Sequence, residues 1–309
     1  MIVIGIDAGG TRTVCVGADE SGQVLARSQG PGANLQSEGT AGVEAVLRDL
    51  IRHVTPDGRT PAAICLGMAG ADRPRDRDEV RALIDRIAPG ARVVVVNDAL
   101  VALEAGLPGA PGVVVIAGTG SIAYGRDGAG RAARAGGWGY VLGDEGSGYW
   151  LGRHALRAVV RASDGRGPQT ALTARVLAHY GAARPQDLIH EIAGSGAAPS
   201  AIAALAQTVA AAAEGGDPIA HLLVKSAAQE LAGAAVAVIE RLQLATPSVL
   251  LAGGTLLGVE ALCGAVTADL ARRLPAATIQ RLSIEPALGA VSLARAELAG
   301  RLRLPVYVD

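Results

Sequence analysis

Two turns rich in glycine and hydroxyl groups carry the residue types best suited to holding a phosphate chain. The first turn, Gly9 to Thr13, follows an apolar run that ends at Asp7, and the second, Gly118 to Ser121, follows a run of β-branched residues. Glycine lets the backbone approach a ligand closely, and successive N–H groups in a turn form a concavity that favours negative charge. The sequence therefore predicts a phosphate chain held between two strand–turn–strand units.

The two units are interpreted as an internal duplication. A shift of 108 positions carries Gly10 and Thr11 onto Gly118 and Thr119. The same shift pairs Gly17 with Gly125, Asp19 with Asp127 and Gly22 with Gly130. Self-similarity at a fixed spacing indicates repeated structural units, here two similar lobes that face one anion. Two ordinary β-hairpins with glycine at their bends are the alternative.

An acidic residue follows a strand that is predicted to be buried on both faces. The apolar run Arg92–Val96 is typical of a parallel strand buried on both sides, and it ends in Asn97-Asp98. Ligands in open α/β sheets bind outside the carboxyl ends of the strands, which places Asp98 where chemistry usually happens. Asp is also favoured at helix N-caps, and a helix is predicted over Ala99–Gly106, so the two roles are compatible.

The segment from Gly136 to Gly152 combines aromatic rings, flexible backbone and the carboxylate of Asp144. Both tryptophans and two of the five tyrosines of the chain lie in it. Ring faces cover the C–H patches of a sugar, while carboxylates and backbone groups bind its hydroxyls. The pattern favours a sugar site, with a bend packed by aromatic residues as the alternative. Asn34, in a Gly/Pro-rich loop of the first half, can donate and accept hydrogen bonds to the same ligand, or serve as a turn residue.

Hydrophobic patterning predicts the elements that must position these residues. Three antiparallel strands, then helix, strand, helix and strand over residues 2–96, predict a mixed sheet with covering helices. A hairpin from residue 113 begins the second half, which is helical over most of 152–243. The strand Ser248–Ala252 then leads into Gly253-Gly254 and a helix, a further place for a nucleotide contact. Since 309 residues exceed what one core usually supports, we expect two domains.

Bulk properties narrow the classes of function. Half of the residues are apolar and the formal charge is −1, which is typical of a packed soluble protein without the basic field that attracts nucleic acid. No signal peptide and no membrane span is predicted, so a cytoplasmic protein is expected. Cys15, Cys65 and Cys263 are far apart and each lies in an apolar pattern, which indicates neither a disulfide framework nor a clustered metal site.

The second turn also matches a dinucleotide-binding pattern, with Gly118, Gly120 and Ala123 at the required spacing. That fingerprint needs a helix directly afterwards and an acidic residue about 20 positions on, carried by a second strand. The chain continues instead as a hairpin through Gly125 to Gly130. A Rossmann dinucleotide site is therefore disfavoured.

Taken in order, these motifs resemble the N-acetylglucosamine kinases of the BadF/BadG/BcrA/BcrD ATPase family, within the sugar kinase, heat-shock protein 70 and actin superfamily. The motifs that carry the resemblance are Asp7-Ala8-Gly9-Gly10-Thr11-Arg12-Thr13, Asn97-Asp98, Gly118-Thr119-Gly120-Ser121, Gly137-Trp138-Gly139, Gly143-Asp144-Glu145-Gly146-Ser147 and Ala252-Gly253-Gly254. The Gly-Trp-Gly and Gly-Asp-Glu-Gly-Ser run is the most specific of them.

The resemblance implies an α/β fold of two ribonuclease-H-like, actin-like lobes with mixed sheets and a cleft between them. The N-terminal lobe would comprise residues 1–112 plus about 288–309, and the C-terminal lobe, enlarged by helices, residues 113–287. The cofactors would be ATP and Mg²⁺, with Asp7 at the metal, and a homodimer is expected by analogy. Phosphate and adenosine contacts are implied for Gly9, Gly10, Thr11, Arg12, Thr13, Gly118, Thr119, Gly120, Gly216, Gly253 and Gly254. Sugar contacts are implied for Asn34, Asp98, Ser121, Ile122, Gly137, Trp138, Gly139 and Asp144.

The expected reaction is transfer of the terminal phosphate of ATP to the 6-hydroxyl of an amino sugar, first of all N-acetylglucosamine, with Asp98 as base. Glucosamine, another hexose or an N-acetylmuramic acid derivative are alternatives for the sugar. The same family includes ATPases that activate radical dehydratases and reductases through an iron–sulfur cluster. Those proteins need paired cysteines at a glycine-rich helix, a pattern that the three cysteines here do not form.

Overall fold

The structure is a computed structural model that describes residues 1–55, 59–70, 74–194 and 198–308. The chain divides into two compact units. The first comprises Met1–Val114, Tyr124–Ala133 and Leu282–Asp309, and the second comprises Val115–Ala123 and Arg134–Arg281. The lobe boundaries given above stay a prediction.

A five-stranded mixed sheet forms the centre of the first unit, in the order β3-β2-β1-β4-β5. Strands β1, β2 and β3 pair antiparallel, whereas β1, β4 and β5 pair parallel. The predicted mixed sheet is therefore confirmed, and its parallel strands end at one edge. The strands are β1 Ile2–Ala8, β2 Arg12–Asp19, β3 Val24–Pro31, β4 Ala63–Met68 and β5 Arg92–Asn97.

Four helices of the first unit pack against this sheet. The close packing requires small residues. A Cβ at Gly5 of β1 would lie 2.3 Å from the carbonyl oxygen of Ala287 in the last helix, and one at Gly289 of that helix would lie 2.0 Å from the carbonyl oxygen of Val101 in a neighbouring helix. The helices are α1 Leu35–Val54, interrupted at Gly39 with φ +64°, α2 Pro74–Ile87, α3 Asp98–Gly106 and, near the C-terminus, α12 Pro286–Leu298. Helix α1 is the first of the two helices predicted over residues 2–96, and the chain bends at Gly39 near its start.

A second sheet has six strands in the order β10-β9-β6-β7-β8-β11. Strands β8 and β11 were not predicted, because neither carries the β-branched run by which the other strands were recognised. The strands are β6 Gly112–Ala117, β7 Ser121–Arg126, β8 Arg131–Gly136, β9 Ser248–Ala252, β10 Thr278–Arg281 and β11 Val306–Tyr307.

The remaining helices belong to the second unit. Residues 199–214, which lie in the stretch predicted to be helical, form two helices in the structure, and the helix that begins at Gly254 is a short one. The helices are α4 Gly148–Ser163, α5 Leu172–Tyr180, α6 Leu188–Gly194, α7 Pro199–Ala203, α8 Leu205–Glu214, α9 Pro218–Leu242, α10 Gly254–Gly258 and α11 Glu260–Arg273.

Among the described residues, α9 is the one helix long and apolar enough to cross a membrane by length and composition. Half of its most apolar window is buried inside the protein. Residues such as Val224, Leu231 and Val238 are buried against neighbouring helices. These contacts are typical of the core helix of a folded domain.

Candidate active site

The first glycine-rich turn closes the hairpin between β1 and β2. The N–H of Gly9 donates to the carbonyl oxygen of Arg12 at 3.0 Å, and Gly10, Thr11 and Arg12 are exposed. Thr13 pairs with Ala8 in the sheet and is fully buried. Its hydroxyl has no hydrogen-bond partner among the described residues. The turn thus presents Gly10 to Arg12 outward and Thr13 inward.

Asp7 and Asp98 lie at the same edge of the first sheet. Ala8 of β1 is level with Met68 of β4, and Met68 is level with Asn97 of β5. Because all three strands run parallel, the residues next to these positions emerge at one carboxyl edge, as expected for a ligand site in an open sheet. The structure therefore brings the predicted metal ligand and the predicted base to one edge.

Asn97, rather than Asp98, is the N-cap of α3. The Asn97 side chain accepts a hydrogen bond from the N–H of Ala99 at 2.7 Å. Asp98 is the first helical residue, and its Oδ1 accepts from the same N–H at 2.9 Å. Since Asn97 already caps the helix, the second oxygen of Asp98 is not needed for capping.

Burial and a neighbouring negative charge act together on Asp7. They raise the pKa of its carboxyl from 3.8 to about 7, with burial as the largest cause and the Asp98 carboxylate next, while Arg12 opposes the shift and Glu285 adds to it. A bound cation would favour the ionised form. Mg²⁺ takes one or two carboxylates together with phosphates and waters, so this carboxylate pair fits it.

The raised pKa predicts a pH-dependent effect of Asp7→Asn on stability. Because the folded protein holds this proton up to a pH near 7 and the unfolded chain only to near 3.8, the ionised carboxylate costs stability progressively from about pH 4 to pH 7. Without metal or nucleotide, we expect the variant to be more stable than wild type at pH 8, on the order of 1–3 kcal/mol, and to gain nothing at pH 4. Thermal unfolding at both pH values measures this, and an equal difference at both would contradict it.

Asn34 lies close to the first turn. The N–H of Ala33 donates to the carbonyl oxygen of Gly9 at 3.3 Å, and a Cβ on Gly32 would lie 2.3 Å from that of Gly10. A cavity of about 290 Å³ opens beside Asn34. It is lined by Asn34, Leu35, Gly39, Thr40, Met68, Ala69, Gly70, Arg75, Asp76 and Glu79. The predicted sugar residue Asn34 therefore faces a space in the first unit.

The second glycine-rich turn is packed against two helix starts of the second unit. The carbonyl oxygen of Gly118 accepts from the N–H of Gly148 at 2.8 Å and from the hydroxyl of Thr255 at 2.9 Å. A Cβ on Gly253, whose φ is +96°, would lie 2.4 Å from the carbonyl oxygen of Ala117. The structure thus brings the turn formed by Gly118, Thr119 and Gly120 together with Gly253 and Gly254.

Asp144 lies at the centre of the predicted sugar residues. Its Oδ1 accepts from the N–H of Ser121 at 3.2 Å, and its carboxylate also accepts from the N–H of Gly139. The N–H of Gly137 donates to the carbonyl oxygen of Ser121 at 2.9 Å, and a Cβ at Gly137 would lie 2.9 Å from Ile122. Ser121, Ile122, Gly137, Gly139 and Asp144 therefore form one cluster.

The backbone and the electrostatics of Asp144 are both unusual. Its φ is +60°, the left-handed region that few residues other than glycine adopt. Burial raises the pKa of the Asp144 carboxyl above its ordinary value, with a smaller contribution from Glu145, while the hydrogen bond from the N–H of Ser121 lowers it. Strained conformations of this kind persist where surrounding bonds fix them, and they cluster at ligand sites.

Trp138 extends outward from this cluster. It is 59% exposed, and the Arg134 guanidinium lies 5.0 Å from its ring centroid. Sequence patterning missed Arg134 because the strand that carries it, β8, was not predicted. A basic residue four positions before the tryptophan is the one signal in the sequence that points to it.

Gly216 lies away from the second glycine-rich turn, in the exposed turn between α8 and α9 with φ +84°. Its neighbour Asp217 is the N-cap of α9 and also accepts from the N–H of Ala171 at 2.6 Å. The Asp217 carboxylate is therefore occupied by hydrogen bonds within the fold.

Some residues close to this turn in the sequence line a pocket of about 300 Å³. It is lined by Ala213, Glu214, His221, Val224, Lys225, Ala261 and Ala265.

The three cysteines are free and buried. Burial raises the pKa of the Cys15 and Cys65 thiols. In the part of the chain that the structure describes, no group of three or more His, Cys, Asp or Glu side chains is arranged to hold a metal ion. The cysteines thus behave as small apolar core residues, as the sequence predicts.

Comparison with known proteins gives a match over nearly the whole chain. The model of the BadF/BadG/BcrA/BcrD ATPase family matches residues 4–294. The chain is 36% identical over 302 residues to the N-acetylmuramic acid/N-acetylglucosamine kinase of Clostridium acetobutylicum, covering 96% of this chain and 98% of the relative. It is 34% identical over 310 residues to the N-acetyl-D-glucosamine kinase of Dictyostelium discoideum, covering 95% and 97%.

A solved structure from Chromobacterium violaceum, described as an N-acetylglucosamine kinase, has the same fold with a TM-score of 0.76. The two chains are 30% identical, and the match covers 94% of this chain and 97% of the other. The similarity therefore extends across both sheets and the helices that cover them.

Proposed function

This chain belongs to the BadF/BadG/BcrA/BcrD ATPase family, and we propose that it is an ATP-dependent sugar kinase that phosphorylates the 6-hydroxyl of N-acetylglucosamine. The observation that carries the proposal is the placement of Asp7 and Asp98 at one sheet edge, where β1 leads from Asp7 into the first glycine-rich turn. Phosphoryl transfer depends chiefly on positioning, charge stabilisation and a base for the attacking hydroxyl, and this edge offers the groups for each.

Asp98 is the residue we assign as base. Its carboxylate would accept the proton of the sugar 6-hydroxyl as the oxygen attacks the terminal phosphate. Asn97 supports this role by capping α3 through its own side chain. We assign phosphate contacts to Gly9, Gly10, Thr11 and Arg12 of the first glycine-rich turn and to Gly118, Thr119 and Gly120 of the second. Mg²⁺, held by Asp7 directly or through water, would supply charge neutralisation at the phosphates.

The fully buried hydroxyl of Thr13 fits a supporting position better than a direct phosphate contact. Thr11 and Arg12 are exposed and lie in the same turn. We therefore assign the outward contacts to them, and place Thr13 behind the turn.

The cluster around Asp144 is the proposed sugar site. The residues that we assign to the sugar hydroxyls and the acetamido group are Asn34, Ser121, Ile122, Gly137, Trp138, Gly139 and Asp144. The Ser121 hydroxyl donates to the carbonyl oxygen of Glu145 at 2.7 Å, so it would meet the sugar as an acceptor. Because Asp144 receives two backbone N–H groups, its carboxylate both fixes the loop and keeps lone pairs for a sugar hydroxyl.

The apolar pocket of the second unit is our candidate for the adenine ring. Its walls are Ala213, Val224, Ala261 and Ala265, with His221 and Lys225 beside them. Flat apolar walls with a few polar groups suit a nucleobase. Gly216 lies three residues after Ala213 in the sequence, and Gly253 and Gly254 are the N-cap and the first residue of α10. We keep all three glycines as proposed adenosine contacts.

N-acetylmuramic acid is a second candidate substrate. The Clostridium acetobutylicum relative is named for both sugars, and the first unit has a cavity of about 290 Å³ beside Asn34, one of the residues assigned to the sugar. A larger substituent on the sugar ring would need such a space.

The test is ADP release with MgATP over N-acetylglucosamine, N-acetylmuramic acid, glucosamine and glucose. We expect the highest kcat/KM with N-acetylglucosamine, and mass and NMR analysis should place the phosphate on the 6-oxygen. Turnover of no sugar in the panel would refute the proposal. A phosphate on the anomeric oxygen would refute the assigned regiochemistry. Sedimentation of the same preparation tests the homodimer that we propose by family analogy.

A further inference from the structure

Arg134 holds the segment that the sugar site depends on. This residue, on strand β8, places its guanidinium carbon 5.0 Å from the centroid of the Trp138 ring. Its Nη1 also donates to the carbonyl oxygen of Gly137 at 3.3 Å. One side chain thus contacts both the Trp138 ring and the peptide that joins Gly137 to it.

The Trp138 ring and the Gly137 carbonyl group need such a contact because the rest of the segment does little to fix them. Gly136, Gly137 and Gly139 all have positive φ, which glycine adopts without strain. Glycine also restricts the backbone dihedral angles less than any other residue. Trp138 is 59% exposed, so burial does not fix its ring. The N–H groups on either side are anchored, that of Gly137 by Ser121 and that of Gly139 by Asp144. The ring and the carbonyl between these anchors are the groups that Arg134 contacts.

We propose that Arg134 is a positioning residue that presents the Gly137–Trp138 peptide to the N-acetyl group and thereby sets the preference for acetylated over unacetylated sugars. The proposal rests on the proposed function, in which Gly137 and Trp138 belong to the residues that bind the sugar and its acetamido group. An arginine suits the role because its planar guanidinium stacks on an aromatic face and donates at its edge at the same time. Lysine, with a compact ammonium group, cannot do both.

The test compares Arg134→Met and Arg134→Lys with the control Arg131→Met. Arg131 lies on the same strand, and its half-exposed side chain forms an ion pair with Asp127 at the end of β8 opposite the loop. For Arg134→Met we expect the KM for N-acetylglucosamine to rise about fivefold to tenfold, with kcat within about twofold of wild type. The inhibition constant of glucose as a competitor should stay unchanged. Arg134→Lys should lie between, and Arg131→Met should match wild type.

The outcomes separate this proposal from the proposed function. A wild-type protein that phosphorylates no sugar refutes the function, whatever the variants do. A second outcome is an active wild type for which Arg134→Met leaves the ratio of two constants unchanged, the KM for N-acetylglucosamine and the inhibition constant of glucose. That result overturns the role proposed for Arg134. Thermal unfolding should keep each variant within about 4 °C of wild type, because the contact lies at the surface. If Arg134→Met does not fold, an unchanged ratio in Arg134→Lys overturns the proposal instead.

Discussion

Asp98→Asn lowers the turnover number by about 10²–10⁴-fold while leaving the affinity for sugar nearly unchanged, the loss expected when a positioned base is removed. Asparagine has almost the same shape, and its side-chain oxygen can still accept from the N–H of Ala99, as Asp98 does at 2.9 Å. Asn97 continues to cap α3. The substitution therefore removes the proton acceptor and leaves the local structure in place.

Steady-state kinetics with N-acetylglucosamine and MgATP measures the loss of turnover, and calorimetric titration of the sugar measures the affinity. Glu260→Gln is the matched control, because Glu260 is also an acidic residue in the first turn of a helix, exposed and paired with Arg281. Its turnover should equal that of wild type. Unchanged turnover in Asp98→Asn would exclude Asp98 as base, and loss of sugar binding would indicate a binding role instead.

The sequence predicts the first sheet well because its strands carry their own signal. The β-branched run Arg92–Val96 forms the buried edge strand β5, whose parallel pairing with β4 brings Asp98 to the edge where Asp7 lies. The family resemblance read from the motifs is confirmed by the match over residues 4–294. The position of a motif at the end of a strand can thus be predicted from sequence, because the direction of the strand decides at which edge of the sheet the motif lies.

The parts that sequence patterning missed depend on contacts between distant segments. Strand β8 has the sequence Arg-Ala-Ala-Arg-Ala-Gly, and its extended state comes from its neighbours β7 and β11 in the sheet. Arg134 was missed with it. The inward orientation of Thr13 follows from its register opposite Ala8, which the residue type does not reveal. The helical stretch breaks at Ala204, between α7 and α8, without a glycine or proline that would predict the break from sequence.

Arg126→Met destabilises the fold by about 3–5 kcal/mol, the cost expected when one partner of a buried ion pair is removed. Arg126 Nη1 lies 2.6 Å from Glu104 Oε2, and both side chains are at least nine-tenths buried. Arg126 also donates to the carbonyl oxygens of Ala110 and Leu107. After the substitution, the Glu104 carboxylate stays buried with weaker donors, the N–H of Gly109 and the hydroxyl of Ser292. The uncompensated charge accounts for most of the loss.

Urea and thermal unfolding measure this effect, and two variants interpret it. Arg131→Met removes an ion pair whose arginine is half exposed and whose Asp127 carboxylate keeps the N–H groups of Ala129 and Arg131 as donors. Its stability should therefore stay within about 1 kcal/mol of wild type. The double variant Glu104→Leu/Arg126→Met should recover most of the loss, because an apolar pair leaves no charge without a partner. A double variant as unstable as Arg126→Met would assign the loss to the carbonyl contacts of Arg126. Since α3 carries Glu104 near its end and Asp98 at its start, the single variant should also lower turnover, and the double variant should restore it together with stability.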